Sequence, residues 1–281
     1  MQRYILRLSC PDRRGIVAAV AGFLFEHRCN IVESAQFGDQ AQRFFMRVCF
    51  DSEPGQPVEA LQAAFAPIGE QFAMQWDCYD LTRKQRVVLL VSRFGHCLND
   101  LLYRYRTGAL AVEIPAIVSN HRDFYRLCAA NDIPFHYLPV SPENKPRQEQ
   151  QLLEIVGEAR ADLVVLARYM QILSPALCQR LEGRAINIHH SFLPSFQGAR
   201  PYQQAHDRGV KLIGATAHYV TEDLDEGPII EQDVARVDHA MSAEDCAAVG
   251  RDVECAVLAR AVKWHVEHRI LLNGKRTVVF R

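Results

Sequence analysis

The chain has 281 residues, of which 49% are hydrophobic and 23% charged, and its formal net charge is −1. That length accommodates two domains, and the near-zero charge speaks against a polyanion-binding surface, so no nucleic-acid partner is expected. No uncharged apolar run reaches the roughly 18 residues a membrane helix needs, so no membrane partner is expected either. The start, MQRYILRLSCPDRRG, carries charge too early for a signal peptide. The nine cysteines show no C-x-x-C pairing and no N-x-S/T sequon occurs, a pattern expected of reduced thiols in a cytoplasmic protein.

Residues 1–81 read as one unit. Tyr4 to Cys10 is a strand pattern, Pro11 to Gly15 a turn, and Ile16, Val20, Phe23 and Leu24 recur at helical spacing up to His27. Asn30–Phe37 and Arg43–Asp51 are strands joined by Gly38-Asp39-Gln40-Ala41, a hairpin signal. A second helix starts at Pro57 and a fourth strand ends at Tyr79. The order β-α-β-β-α-β is the ferredoxin-like split unit. Its sheet, covered by helices on one face, is expected to present an open face or edge to another copy of the chain, so a homo-oligomer (dimer, tetramer or higher) is expected.

Residues 82–86 are polar and read as a linker; residues 87–281 read as a second domain. Val87–Val91 is a continuous apolar run, as in a strand buried on both faces. Helix and strand patterns then alternate: Cys97–Arg106, Ala111–Ser119, Arg122–Ala130, Phe135–Leu138, Gln148–Ala159, Leu163–Ala167, Pro175–Leu181. This predicts a Rossmann-like, mainly parallel open sheet in an α/β class. A long helix is expected from Ser242, with Asp245 in capping-box position, to about His268. A hairpin around Asn273-Gly274 follows.

The chemistry-bearing stretch is residues 185–230. An apolar strand delivers Asn187, His189 and His190 into a loop with Ser191, Pro194 and Gly198; a helix from Pro201 follows, and a strand from Leu212 to Val220 runs into Asp225-Glu226-Gly227-Pro228. An amide donates to an oxygen gaining charge, an imidazole passes protons near neutrality, and a carboxylate orients the imidazole or a water. Loops leaving the carboxyl edge of a parallel sheet are where such groups collect. No nucleophile elbow is present, so attack by water or an amine on a small carbonyl is favoured over covalent acyl transfer. His218 lies in a strand pattern and reads as a core residue. Neither H-x-x-x-H nor H-E-x-x-H spacing occurs, so no metal site is expected.

N-I-H-x-S-x-L-P-x-F-x-G followed by D-x-G-x-I-I resembles the signature of formyltransferase-fold enzymes that use 10-formyltetrahydrofolate. CPDRRGIVAAVAGFLFEHRCNIVES resembles an ACT domain, a small-molecule regulatory module. The turn after Val91, SRFGHCLNDLL, lacks the Gly-rich phosphate loop of the glycinamide ribonucleotide enzymes and is similar to the formyltetrahydrofolate deformylase family, a match spanning essentially the whole chain.

That resemblance implies hydrolysis of 10-formyltetrahydrofolate to tetrahydrofolate and formate, supplying purine synthesis and balancing the one-carbon pool. It implies catalysis by Asn187, His189 and Asp225, no cofactor beyond the folate substrate, and a pteridine pocket of Arg168, Tyr169, Met170, Gln171, Leu173, Thr221, Glu222 and Leu224. At the ACT-like unit it implies an amino-acid effector, glycine or methionine, near Asp12, Gly15, Asn30 and Ile31. Of the apolar residues in the first loop, Ile172 is expected to be core more than Leu173. His96 and His190 are left without a firm role; keeping an amine acceptor out is one they could take. The alternatives are formyl transfer to an amine and a non-enzymatic folate or amino-acid sensor.

Overall fold

A computed structural model describes residues 2–53, 56–194 and 201–281, and the chain divides into two compact units. The first comprises residues 1–84, 267–273 and 278–281; the second comprises residues 85–266 and 274–277. No helix among the described residues is long and apolar enough to cross a membrane.

The first unit contains β1 (Gln2–Pro11), α1 (Ile16–Glu26), β2 (Asn30–Gly38), β3 (Arg43–Ser52), α2 (Val58–Gln71) and β4 (Gln75–Asp80), with an antiparallel sheet in the order β2-β3-β1-β4. Alternation sorts the strand side chains. Tyr4, Leu6, Leu8 and Cys10 of β1, with Phe44, Met46, Val48 and Phe50 of β3, form the core with α1 and α2. Phe65 lies edge-on to Phe23 at 5.1 Å and to Trp76 at 4.8 Å, the offset geometry aromatic quadrupoles prefer. Gly15 starts α1 at φ 95°, a left-handed backbone that a side chain would strain.

The second sheet face is not left open. Residues 267–273 and 278–281, assigned by sequence to the second domain, belong to the first unit. β12 (Ile270–Asn273) and β13 (Arg276–Val279) are the last two strands. Leu271 and Phe280 pack on Phe45, and the His268 ring stacks on Tyr79 with centroids 3.6 Å apart. Arg47, 3% exposed, donates to the Glu267 carbonyl at 3.1 Å and lies 3.2 Å from Glu33. Arg269 donates to Glu33 at 3.0 Å. A sheet with arginine at its centre thus finds charge partners and apolar cover within its own chain, so the face that argued for a second copy is occupied. The edge strand β2 remains largely exposed.

The second unit is built on a seven-stranded sheet, β11-β10-β9-β8-β5-β6-β7. β5 (Gln85–Val91), β6 (Val112–Ser119), β7 (Phe135–Tyr137), β8 (Leu163–Leu166) and β9 (Ala185–His189) are parallel. β5 begins inside the stretch read as linker. Val87 to Val91 are at most 1% exposed, as a strand covered on both faces requires. α5 (Lys145–Glu158) and α6 (Pro175–Arg180) pack on the face carrying Val88, Leu90, Val118 and Val164. α3 (His96–Arg106), α4 (Tyr125–Ala129) and α7 (Pro201–Asp207) are the remaining short helices. α8 (Ala243–Val266) lies along β9, β10 and α3. Its start is capped reciprocally: Asp245 N–H donates to Ser242 Oγ at 3.1 Å, and Ser242 N–H to Asp245 Oδ2 at 2.9 Å.

Two features depart from expectation. β10 (Leu212–Tyr219) runs antiparallel to β9, and β11 (Ile229–Arg236), not anticipated from sequence, runs antiparallel to β10. β9 and β10 therefore do not end at a common carboxyl edge. Residues after Tyr219 must double back to reach the end of β9, which explains the tight loop described below.

Candidate active site

The strand order reverses between β5 and β8, and the loops leaving these two strands flank the site, as open α/β sheets dictate. Ser92 joins them. Its N–H donates to the Arg168 carbonyl at 3.1 Å, and its hydroxyl accepts from Met170 N–H at 2.9 Å and donates to Asn120 at 2.7 Å. Arg168 sits at φ 66° and Asp225 at φ 58°. Two left-handed non-glycine residues in one site are strain held by their surroundings.

A cavity of about 630 Å³ opens at this point, within the range of small-ligand sites. Asn187, His189 and Asp225 all line it. His189 Nδ1 lies 3.1 Å from Asp225 Oδ1, so the carboxylate fixes the ring with Nδ1 protonated. His189 Nε2 is buried and has no hydrogen-bond partner among the described residues; it faces the place where a reacting group would sit.

His218, read from sequence as core, belongs to this cluster. It stands directly opposite Asn187 across β9 and β10. Its Nδ1 is 2.9 Å from the Tyr219 carbonyl, so Nδ1 carries a proton, and in the neutral ring Nε2 accepts. Asn187 Nδ2 lies 3.3 Å from that Nε2. The imidazole thereby settles the amide's orientation: NH₂, not oxygen, faces His218, leaving the second N–H for a ligand. His218 Nε2 is also 3.7 Å from Asp225 Oδ1. A strand pattern around an imidazole gives no hint of this cross-strand pairing.

Asp225 arrives by close backbone packing. Tyr219 N–H donates to the Pro228 carbonyl at 3.0 Å, and Gly227 passes so near that an added Cβ would stand 1.7 Å from the Tyr219 carbonyl oxygen. The other loop is tied down through Thr216, whose hydroxyl accepts from Leu193 N–H at 3.0 Å and donates to the Ser191 carbonyl at 2.9 Å. Gly198 lies outside the described residues.

Burial pushes the Asp225 pKa up, but the hydrogen bond and charge of His189, joined by those of His218 when that ring is protonated, outweigh it and hold the carboxyl well below its ordinary range. Burial lowers His190 to about 4, helped by the charges of Arg168 and His189. Its folded pKa lies below the unfolded value, so the unfolded chain takes up the proton first. Stability is intact above about pH 6.5 and falls as pH drops toward 4, by roughly 3 kcal/mol in all. His190→Gln should flatten that part of the acid-stability curve, read as urea midpoints between pH 7 and 4.5. An unchanged slope would assign the acid sensitivity elsewhere.

Arg168, Tyr169, Met170, Gln171, Leu173, Thr221, Glu222 and Leu224 all line the cavity. Tyr169 and Leu173 are buried and join the α5–α6 core, and the Tyr169 hydroxyl accepts from Gln148 at 3.0 Å. Ile172 is 61% exposed, against 9% for Leu173, the reverse of the sequence expectation. The segment is irregular, so strand alternation does not apply. Phe94, Met170, Ile172 and Leu224 leave large apolar surface around the cavity, a patch that a flat heterocycle would cover. Glu222 accepts from Gln179, and the Thr221 hydroxyl donates to the Asp223 carbonyl at 3.0 Å.

The residues singled out in the first unit are not brought together. Asp12 and Gly15 follow the end of β1, where Pro11 pairs with Arg43. Asn30 and Ile31 begin β2 opposite Asp51 and Phe50. These are opposite ends of the sheet, about 25 Å apart at strand rise.

Sequence reasoning also missed Glu254, on α8 and 1% exposed. It accepts from Tyr202 at 2.5 Å and His96 Nε2 at 2.8 Å, and lies 3.3 Å from Arg168 Nε. These contacts and charges outweigh burial and keep it ionised. The metal-ligating atoms of His96, Cys97 and Glu254 lie within 4.8 Å of one another, but the guanidinium beside the carboxylate opposes a second cation there.

Comparison with known proteins agrees with both units. Residues 85–262 match the formyl transferase family model and residues 4–66 the ACT domain model. A Corynebacterium sp. (strain P-1) protein named formyltetrahydrofolate deformylase is 50% identical over 99% of this chain and 98% of its own length. The crystal structure of formyltetrahydrofolate deformylase from Burkholderia mallei superposes with a TM-score of 0.95, at 54% identity and full coverage of both chains. The chain belongs to the formyltetrahydrofolate deformylase family. Within that family the ACT and formyl transferase regions fall on the first and second units described above. A glycinamide ribonucleotide transformylase from Symbiobacterium toebii shares the fold more distantly, with 28% identity, a TM-score of 0.67, and 72% of this chain and 97% of that chain covered.

Proposed function

We propose that the chain hydrolyses 10-formyltetrahydrofolate to tetrahydrofolate and formate, with formate passing to purine synthesis and the one-carbon pool kept in balance. The observation that carries the reading is the convergence of the His189–Asp225 pair, 3.1 Å apart, with an Asn187 amide whose orientation His218 sets. The pteridine occupies the loops after β8 and β10. Water adds to the formyl carbon, and His189 Nε2 takes its proton. The free Asn187 N–H donates to the oxygen as it becomes negative. Collapse of the adduct breaks the C–N10 bond, and the imidazolium returns the proton to N10. Asp225 stabilises the imidazolium throughout. No step in this scheme calls on a metal or further cofactor.

Incubating purified protein with 10-formyltetrahydrofolate alone and following formate tests the reading. No release would favour a sensor, and release only with an added amine would favour a transferase. Asn187→Ala should lower kcat about 10²–10³-fold with KM little changed, measured by steady-state kinetics.

The ACT domain supports regulation by an amino acid, glycine or methionine by resemblance. Because the two pairs of candidate residues lie at opposite sheet ends, a second copy bringing unlike ends together would complete such a site, in keeping with a homo-oligomer. All nine cysteines are free, in keeping with a cytoplasmic setting.

A further inference from the structure

The side of the cavity formed by α3, α7 and α8 is filled by side chains that satisfy one another. Glu254 holds Tyr202 and His96 as described, and all three line the cavity. Tyr202 reaches Glu254 only because residue 250, one turn earlier on α8, is glycine; a Cβ there would stand 2.2–2.3 Å from the phenol ring and hydroxyl. The His190 ring lies 6.3 Å from Tyr202 and 5.1 Å from His189. Aromatic side chains therefore run without a break from the proton-transfer imidazole to Glu254.

An amine attacking the formyl carbon needs two things that water does not. It needs volume for its substituent, and an acceptor for the N–H it keeps. On this side of the cavity the carboxylate able to accept is Glu254, and its oxygens are already engaged by Tyr202, His96 and Arg168. A buried acceptor with satisfied partners gains little from a new donor. The phenol ring occupies the volume.

We propose that Tyr202, Glu254 and His96 form a plug that keeps amine acceptors from the formyl carbon and so makes water the nucleophile. The inference rests on the deformylase reading above. The excluded reaction is balanced: an amine nitrogen forms a C–N bond to the formyl carbon, the C–N10 bond breaks, and the proton lost by the amine passes through His189 to N10.

The test supplies 10-formyltetrahydrofolate with and without a large excess of glycinamide and measures formate and N-formylglycinamide by mass spectrometry. The natural chain should give formate with only a trace of N-formylglycinamide. Tyr202→Ala should raise the ratio of N-formylglycinamide to formate at least tenfold, and Tyr202→Phe, which keeps the ring, should raise it less. His96→Ala, at a half-buried position, gives the same readout should Tyr202→Ala fail to fold. A product ratio that stays at the natural value in a folded Tyr202→Ala or His96→Ala protein overturns the plug. Absence of formate from the natural chain would instead overturn the deformylase reading, so the two failures are distinguishable.

Discussion

Asp225→Asn is expected to lower kcat for formate release about 10³–10⁴-fold while leaving the Kd for a folate analogue within a few-fold of the natural value. The carboxylate lies 3.1 Å from His189 Nδ1 and 3.7 Å from His218 Nε2. An amide there would still hydrogen-bond, so the loop should keep its place. It would not stabilise an imidazolium, and it could turn its NH₂ toward Nδ1 and select the wrong tautomer. The pH dependence follows from the sign of the shift. A carboxyl held below its unfolded pKa contributes stability that is complete above about pH 4 and is lost only as pH falls further. Acid unfolding above pH 5 should therefore be the same in Asp225→Asn as in the natural chain, and a loss of stability confined to the natural chain in that range would refute the assignment. Near-normal turnover by the variant would remove Asp225 from the reaction.

Gly227→Ala should be nearly as damaging, although residue 227 bears no reactive group. A Cβ 1.7 Å from the Tyr219 carbonyl oxygen meets backbone, not a side chain that could turn away. Residues 226–228 must move, and Asp225 two positions earlier moves with them. Displacing a catalytic group by about 1 Å costs on the order of 10²-fold in rate, and forced overpacking costs about 1–3 kcal/mol. The variant should show a kcat at least 10²-fold down with a lowered Tm. An active, equally stable Gly227→Ala protein would contradict the close approach.

The elements that positioned this site were legible where local pattern and tertiary role agree. Val87–Val91 announced a buried parallel strand because both faces demand apolar side chains. Ser242 and Asp245 announced the start of α8 because capping is decided within three residues. Asn187, His189 and Asp225 were legible through the signature they sit in. What stayed hidden depends on partners distant in sequence. The direction of β10 is set by pairing with β9 across about thirty residues, and with it goes the contact between Asn187 and His218. Glu254 looks like one more polar residue of a helix until Tyr202 and His96, on two other helices, are seen to converge on it. Ile172 and Leu173 exchanged roles because an irregular loop has no period to read.

The cover supplied to the first unit by residues 267–281 bears on how the chain is made. The helices of that unit can dock on the sheet once residue 84 has left the ribosome, but Arg47 gains the Glu267 carbonyl, and Phe45 the cover of Leu271 and Phe280, only when those residues arrive. From residue 84 to residue 281 there are 281 − 84 = 197 residues, which synthesis at about 5–20 residues per second traverses in roughly 10–40 s. For that interval one side of the nascent sheet is bare, so a fragment ending at residue 84 is expected to bind a hydrophobic dye, and a peptide spanning 267–281 to displace it. A fragment that leaves the dye unbound would mean the sheet closes that side without the late segment.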